Sequence, residues 1–188
     1  MENIQNQELK NKPEIDYVMK MPAATSIKHR LPWLVLGLLG GIVASSIVSS
    51  FEEVLQKNLI LAAFIPLIVY MSDAVGTQME SFVIRDLAIH KIKFFKYFAK
   101  QLLITALIAL FLGLSLFGYT LITQKNPNIA VVLSVSMFAS IVSSVLTGLA
   151  FPLAFNKLRF DPANASGPIA TIIQDLLSVV IYFSVASS

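Results

Sequence analysis

Apolar residues run along the chain in five long blocks, each separated from the next by a short polar segment. The blocks cover about residues 31–50, 58–84, 98–122, 129–155 and 167–186. A bilayer core about 30 Å thick needs roughly 20 apolar residues in helical form, and every block is long enough. The pattern therefore predicts an all-α membrane protein with five transmembrane helices per chain.

The composition supports this interpretation. Of the 188 residues, 56% are hydrophobic and 13% are charged, whereas soluble domains average about 25% charged residues. We expect residues 1–28 to form a polar cytosolic tail and residues 29–188 to form one five-helix transmembrane domain. The start of the chain lacks the short apolar core of a signal peptide. The predicted location is the inner (plasma) membrane, as a multi-pass protein surrounded by lipid.

Basic residues alternate from one polar segment to the next. Lys28 and Arg30 precede the first block, a larger group that includes Arg85 and Lys93 separates the second from the third, and Lys157 follows the fourth. By the positive-inside rule, this alternation places the N-terminus in the cytoplasm and the C-terminus outside. The net charge of +3 lies mostly at the ends of the blocks, so we expect no nucleic-acid partner.

The residue types exclude most catalytic and soft-metal chemistry. The chain has no cysteine, and its two histidines, His29 and His90, lie in basic polar stretches without zinc-ligand spacing. No nucleophile–base pair is visible by type or spacing, and no glycine loop of the phosphate-binding kind is present. We therefore expect the protein not to be an enzyme.

Small and hydroxylated residues form stripes on two of the predicted helices. The first block carries Gly37, Gly40, Gly41, Ala44 and Ser45, and the fourth carries Ser136, Ser140, Ser143 and Thr147. Helices in lipid associate through close backbone approach and polar contacts, so these stripes predict helix-packing surfaces. The alternative is a polar lining of a pathway. Five helices form a poor closed pore on their own, and isologous dimers are the commonest oligomers, so we expect a homodimer.

Asp175 lies near the middle of the last apolar block. A carboxylate at that depth costs a few kcal/mol, and such residues usually face a wet cavity, an ion or a partner. Thr171, Asp175, Ser178 and Tyr182 are spaced four, three and four residues apart, so they form one polar stripe on the helix. The pattern favours an ion pathway, and the alternative is an interhelical hydrogen bond.

The second block carries a similar stripe of Asp73, Gly76, Thr77 and Glu80. At 1.5 Å per residue, Asp73 lies roughly 18 Å from the inner boundary and Asp175 roughly 12–17 Å from it, so the two carboxylates have comparable depth. A lining made of oxygen atoms suits a hard cation such as Mg²⁺ or Ca²⁺. For Asp73 and Glu80 the alternative is a hydrogen-bonded pair or a lipid-interface residue.

Three segments resemble the MgtE family of magnesium transporters. The first segment is Arg30-Leu31-Pro32-Trp33-Leu34. The second has the pattern Pro66…Gly76-Thr77-Gln78…Arg85-Asp86-Leu87-Ala88. The third has the pattern Phe151-Pro152…Lys157-Leu158…Asp161-Pro162-Ala163…Ser166-Gly167-Pro168…Thr171…Asp175. The resemblance covers about residues 28–188 and includes the order of the five blocks.

The resemblance implies a homodimeric channel that conducts Mg²⁺ between protomers, along the second and fifth helices. It implies that Asp175 forms the central ion site and that backbone oxygens near Gly167 and Thr171 help to hold a hydrated ion. We expect Asp73 to join this metal site. The residues expected to line the pathway are Gly76, Thr77, Glu80 and Ser178.

The chain departs from the family pattern in two ways. Where the family usually has Gly-Gly-Asn-Ala-Gly-Thr-Gln, this chain has Ser72-Asp73-Ala74-Val75-Gly76-Thr77-Gln78, which loses an asparagine and adds a charge. Members of the family also commonly carry a large cytosolic N-terminal region that senses Mg²⁺, which about 28 residues cannot hold. We expect that sensing is absent or that a separate regulatory subunit supplies it.

Three functions follow from these patterns. The leading hypothesis is a channel or transporter for divalent cations, chiefly Mg²⁺, and the ion preference among Mg²⁺, Mn²⁺, Co²⁺ and Ca²⁺ stays open. The second is an exchanger that couples a cation to H⁺ or Na⁺, because intramembrane carboxylates also serve proton relays. The third is a non-conducting membrane scaffold or subunit that docks another protein.

Overall fold

A computed structural model of the protein describes residues 21–57, 59–89, 92–158 and 162–187. Over these residues the chain is helical, with five long helices and one short one. In chain order they are α1 (Ala23–Ser50), α2 (Glu52–Lys57), α3 (Leu59–Ile89), α4 (Phe94–Gln124), α5 (Pro127–Lys157) and α6 (Pro162–Ala186). The long helices are apolar and long enough to cross a membrane, with α6 meeting this criterion over Ser166–Ala186.

The prediction of five membrane-length helices is confirmed, but the boundaries differ. Helix α1 begins at Ala23, ahead of the predicted start, and it includes part of the predicted polar tail. The polar segment after it forms α2, because Glu52 and Glu53 occupy its first turn, where carboxylates favour a helix. Helices α3, α4 and α5 each extend beyond the predicted apolar block, since the polar residues that flank the blocks continue the helical turns.

Local chemistry sets the turn between α4 and α5. Lys125 adopts a left-handed conformation with φ of 52°, which ends α4. The Asn126 side chain then caps α5 by accepting hydrogen bonds from the backbone N–H groups of Asn128 and Ile129. Pro127 follows at the start of the helix, where its missing N–H costs nothing. This short turn makes α4 and α5 antiparallel neighbours.

Helix α5 is the centre of the bundle. It packs against α3, α4 and α6, whereas α1 packs on α6 from outside and has no buried residue of its own. The apolar core combines fully buried side chains of α3, α5 and α6, including Ile68, Ile141 and Phe183. The outer surface is also apolar, with Phe111 and Ile122 more than two-thirds exposed, as expected for helices that face lipid.

Helices α3 and α5 approach each other closely at two glycines. A Cβ atom added to Gly148 would lie 2.7 Å from the backbone oxygen of Gly76, and one added to Gly76 would lie 3.2 Å from the Cβ of Ser144. Only residues without side chains allow this backbone approach. One turn before Gly76, Ser72 contacts Ser140 of α5 and Gln174 of α6. Asp73, the next residue, contacts Thr171 of α6.

Candidate functional site

Asp175 lies beside a groove between α1 and α6. Its side chain is partly buried, and the groove has a volume of about 350 Å³. Glycines of α1 form one wall and residues of α6 form the other; the lining comprises Leu34, Gly37, Gly40, Gly41, Ala44, Pro168, Thr171, Ile172 and Asp175. Most of this lining is apolar, so Asp175 and Thr171 supply its polar side-chain atoms.

The small-residue stripe of α1 is what leaves this groove open. Gly40 packs directly on Ile172 of α6, so the prediction of a packing surface holds at that position. A Cβ atom at Gly37 or Gly41, by contrast, would meet nothing within 4 Å. The same stripe therefore permits contact at one residue and leaves space at the two others.

Asp73 of α3 reaches the same region of α6. Its carboxylate accepts a hydrogen bond from the Thr171 hydroxyl, and its negative charge repels that of Asp175. Within the described part of the chain, the Asp175 carboxylate accepts no hydrogen bond of its own. The two aspartates, expected at similar depth, thus lie close enough to interact, with Thr171 joined to one of them.

Glu80 lies towards the predicted cytoplasmic end of α3. It is 5% exposed and accepts a hydrogen bond from the Ser166 hydroxyl. Gly167 is adjacent, because a Cβ atom placed on it would lie 4.0 Å from Glu80 Oε1. The negative charge of Asp73 also repels that of Glu80. The row of polar groups between α3 and α6 therefore extends from Asp73 to Glu80.

The other predicted lining residues occupy different surroundings. Gly76 is buried at the contact with α5, and Thr77 is exposed. Ser178 is fully buried and donates to the backbone oxygen of Gln174. Tyr182, the last member of the predicted stripe, donates to the backbone oxygen of Leu61 at 2.7 Å. The stripe of α6 therefore divides, with Thr171 and Asp175 at the groove and Ser178 and Tyr182 inside the bundle.

Gln174 is the polar residue that sequence reasoning missed. It is 1% exposed, and its amide contacts Ser72 of α3, Ser140, Ser143 and Thr147 of α5, and Ser178 of its own helix. The signal was present, because an amide in an apolar span must find partners just as a carboxylate must. The α5 stripe is confirmed as a packing surface, since Ser136, Ser140 and Thr147 are buried and the side chains of Ser143 and Thr147 bond Gln174.

The donor set of this region consists of oxygen atoms. Among the described residues, no three His, Cys, Asp or Glu side chains converge as the ligands of one metal ion. The described part of a single chain therefore brings Asp73 and Asp175 near each other without a third carboxylate, histidine or cysteine beside them.

Comparison with known proteins identifies the family of this helical bundle. The model of the MgtE family, described as a divalent cation transporter, matches residues 65–185. The chain belongs to the MgtE family. The resemblance inferred from the sequence motifs is thereby confirmed. The matched region contains Asp73, Glu80, Thr171, Gln174 and Asp175.

Individual relatives extend the similarity across most of the chain. It is 32% identical over 180 residues to the magnesium transporter MgtE of Bacillus subtilis (strain 168), a match that covers 92% of this chain. It is 33% identical to the magnesium transporter MgtE of Enterococcus faecalis and 30% identical to that of Thermus thermophilus, each over 93% of this chain. The chain spans only 39% of the length of each of these relatives. Together with the five membrane-length helices, the family membership makes this a multi-pass membrane protein.

Proposed function

We propose that the protein conducts hydrated divalent cations, chiefly Mg²⁺, through the membrane past Asp175. The observation that carries the proposal is a carboxylate deep in an apolar helix that faces an open groove. Its charge is expensive in a membrane unless an ion, water or a partner offsets it. The relatives that share this helix are named magnesium transporters, which supports Mg²⁺ as the transported substrate.

The volume of the groove is large enough for a hydrated ion beside Asp175. Six waters at about 30 Å³ each occupy about 180 Å³, which is less than the groove volume of about 350 Å³. Mg²⁺ gives up water reluctantly and commonly binds proteins through one or two carboxylates while it keeps several waters. Asp175 would then hold the ion through water or through one oxygen, and backbone oxygens near Gly167 and Thr171 would bind its hydration shell.

Asp73 is proposed as a second charge in this metal site. It lies within electrostatic reach of Asp175, and Thr171 orients its carboxylate. Two carboxylates attract a divalent ion more strongly than one, and the ion relieves the repulsion between them. Because the usual family pattern has no carboxylate at this position, we propose that Asp73 shifts affinity or ion preference.

The exposure of each predicted residue decides whether we propose that it lines the ion pathway. Thr77 is exposed and can face the pathway directly. Gly76, Glu80 and Ser178 are buried, so we propose that they act by setting the spacing of α3, α5 and α6 behind the lining surface. We further propose a homodimer in which the grooves of the two protomers face a shared axis beside α3 and α6, with the N-terminus in the cytoplasm. Control by a separate regulatory subunit stays a prediction.

The test is Mg²⁺ uptake into proteoliposomes by the wild-type protein and the Asp175→Asn variant. We expect uptake to fall at least about tenfold in the variant, equivalent to about 1.4 kcal/mol in the transport barrier. Asp86→Asn is the matched control, because Asp86 bonds Tyr97 and Arg85 away from the groove. Unchanged uptake by Asp175→Asn would refute the proposal.

Two further outcomes identify the alternatives. Flux that stops without an opposing H⁺ or Na⁺ gradient, with stoichiometric counter-movement, would identify an exchanger. Failure of the purified wild-type protein to move Mg²⁺, Mn²⁺, Co²⁺ or Ca²⁺ would identify a scaffold.

A further inference from the structure

The side chain of Gln174 connects three helices at the level of Asp175. Its Nε2 atom lies 3.1 Å from the backbone oxygen of Ser140, 3.1 Å from Ser143 Oγ and 3.2 Å from Ser178 Oγ, and it also donates to Ser72 Oγ. Its Oε1 atom accepts a hydrogen bond of 2.7 Å from Thr147 Oγ1. One fully buried side chain therefore joins α6 to both α3 and α5.

The surrounding hydroxyl groups determine which way the amide points. Ser72 donates its proton to the backbone oxygen of Ser140 at 2.6 Å, and Ser143 donates to the same oxygen at 2.7 Å. Ser178 donates to the backbone oxygen of Gln174 at 2.8 Å. Because the backbone oxygen of Ser140 can only accept, and these hydroxyl groups have other acceptors for their protons, the NH₂ group faces them and Oε1 faces Thr147. A reversed amide would place Oε1 against the backbone oxygen of Ser140.

This fixed orientation has a consequence for the next residue. Successive residues of a helix with 3.6 residues per turn point about 100° apart. Holding Gln174 between α3 and α5 therefore directs Asp175 away from α5, towards the groove and the charge of Asp73. Tyr182 and Phe183 hold the C-terminal half of α6 in the apolar core, and Gln174 is the residue next to Asp175 that bonds both α3 and α5.

We propose that Gln174 is a positioning residue for Asp175, which sets the rotation of α6 and so aims the carboxylate into the groove. The transport consequence rests on the function proposed above, but the geometric consequence does not. Loss of the amide contacts lets α6 turn, and Asp175 then spends less time facing the groove. The α3–α5–α6 bundle itself keeps its apolar core and its glycine contact, so it stays assembled.

The absence of cysteine in the chain allows a direct measurement of this rotation. A single cysteine is introduced by Asp175→Cys at the groove, or by Ile173→Cys at a position that is 37% exposed on a different face of α6. Each is labelled in membranes with a membrane-permeant maleimide, because Ile173 belongs to the exposed apolar surface that faces lipid. We expect the ratio of the labelling rate at 175 to that at 173 to fall at least about tenfold when Gln174→Met is added. General loosening would raise both rates, whereas rotation changes their ratio.

Thr147 provides a milder variant for the case in which Gln174→Met does not fold. Thr147→Val removes the donor to Gln174 Oε1, and we expect the same ratio to fall by a smaller factor, with recovery in Thr147→Ser. Thr120→Val is the matched control, because Thr120 is equally buried but donates only to Leu116 and Phe117 of its own helix. An unchanged ratio in both Gln174→Met and Thr147→Val, or in Thr147→Val alone if Gln174→Met does not fold, would overturn the proposal.

Mg²⁺ uptake separates this proposal from the proposed function. With Asp175 intact, Gln174→Met should raise the half-saturating Mg²⁺ concentration several-fold, and Thr147→Ser should restore it relative to Thr147→Val. If Asp175→Asn transports normally, the proposed function fails while the labelling ratio still decides the role of Gln174. If the ratio falls but the half-saturating concentration does not change, α6 rotates without any effect on ion binding, and the transport part of the inference is wrong.

Discussion

Thr171 of α6 donates a hydrogen bond to the carboxylate of Asp73 on α3. The bond lies one helical turn from Asp175, and it joins the two helices that carry the intramembrane aspartates. Thr171 also lines the groove, so a single hydroxyl contacts both the helix interface and the candidate ion site. This relationship gives a prediction that separates hydrogen bonding from packing.

Replacing Thr171 by valine should weaken the α3–α6 contact while preserving its shape. Interhelical hydrogen bonds in membrane proteins contribute about 0.6 kcal/mol on average and up to about 1.7 kcal/mol. We expect Thr171→Val to lower the free energy of unfolding in detergent micelles by this amount and to raise the half-saturating Mg²⁺ concentration. Thr171→Ser keeps the hydroxyl and should show a smaller loss in both measurements. Wild-type values for Thr171→Val together with a loss in Thr171→Ser would show that the methyl group, and not the hydroxyl, matters.

A second prediction concerns the glycine contact between α3 and α5. Alanine at position 148 would place a Cβ atom 2.7 Å from the Gly76 backbone oxygen, which cannot move without shifting α3. We expect Gly148→Ala to destabilise the protein by about 1–3 kcal/mol, the usual cost of overpacking. Unfolding followed by circular dichroism in micelles measures this change.

Gly118→Ala is the control for that measurement. Gly118 lies in α4, and a Cβ atom there would meet nothing within 4 Å. Replacing an unconstrained helical glycine by alanine favours the helix by about 0.5–1 kcal/mol. The two substitutions should therefore have opposite signs, and destabilisation of equal size by both would contradict the close-contact argument.

The groove itself can be filled from the side of α1. Gly41 lines it and has open space at the Cβ position, so Gly41→Leu should occupy volume next to Asp175 without pushing α1 from α6. We expect Mg²⁺ uptake to fall at least about tenfold, because a hydrated ion no longer fits beside the carboxylate. The unfolding free energy should change by less than about 0.5 kcal/mol, as for substitutions away from packed contacts.

Gly118→Leu tests whether any added leucine on an open helix face has the same effect. It should leave uptake unchanged, since Gly118 lies outside the groove lining. Full uptake by Gly41→Leu would mean that ions do not pass through the groove between α1 and α6.

The candidate site could be predicted in part from individual residues. Asp175 and Asp73 stood out because a carboxylate within an apolar span is costly, and their depth followed from the helical rise. Gln174 carries no charge and lies beside Asp175, so the same reasoning passed over it. Ser178 fell on the predicted polar stripe, yet it bonds Gln174 inside the bundle, because residues on one helical face can still meet different neighbours.

Segment length, apolar character and motif spacing were enough to predict the membrane class, the number of long helices and the family. The contacts between polar residues became visible only once the helices were packed. Glu80 pairs with Ser166, Asp73 with Thr171, and Gln174 with α3 and α5, while Gly37 and Gly41 leave the groove beside Asp175 open. Periodicity assigns a residue to a face of its own helix, whereas its partner depends on how neighbouring helices are rotated and how closely they approach.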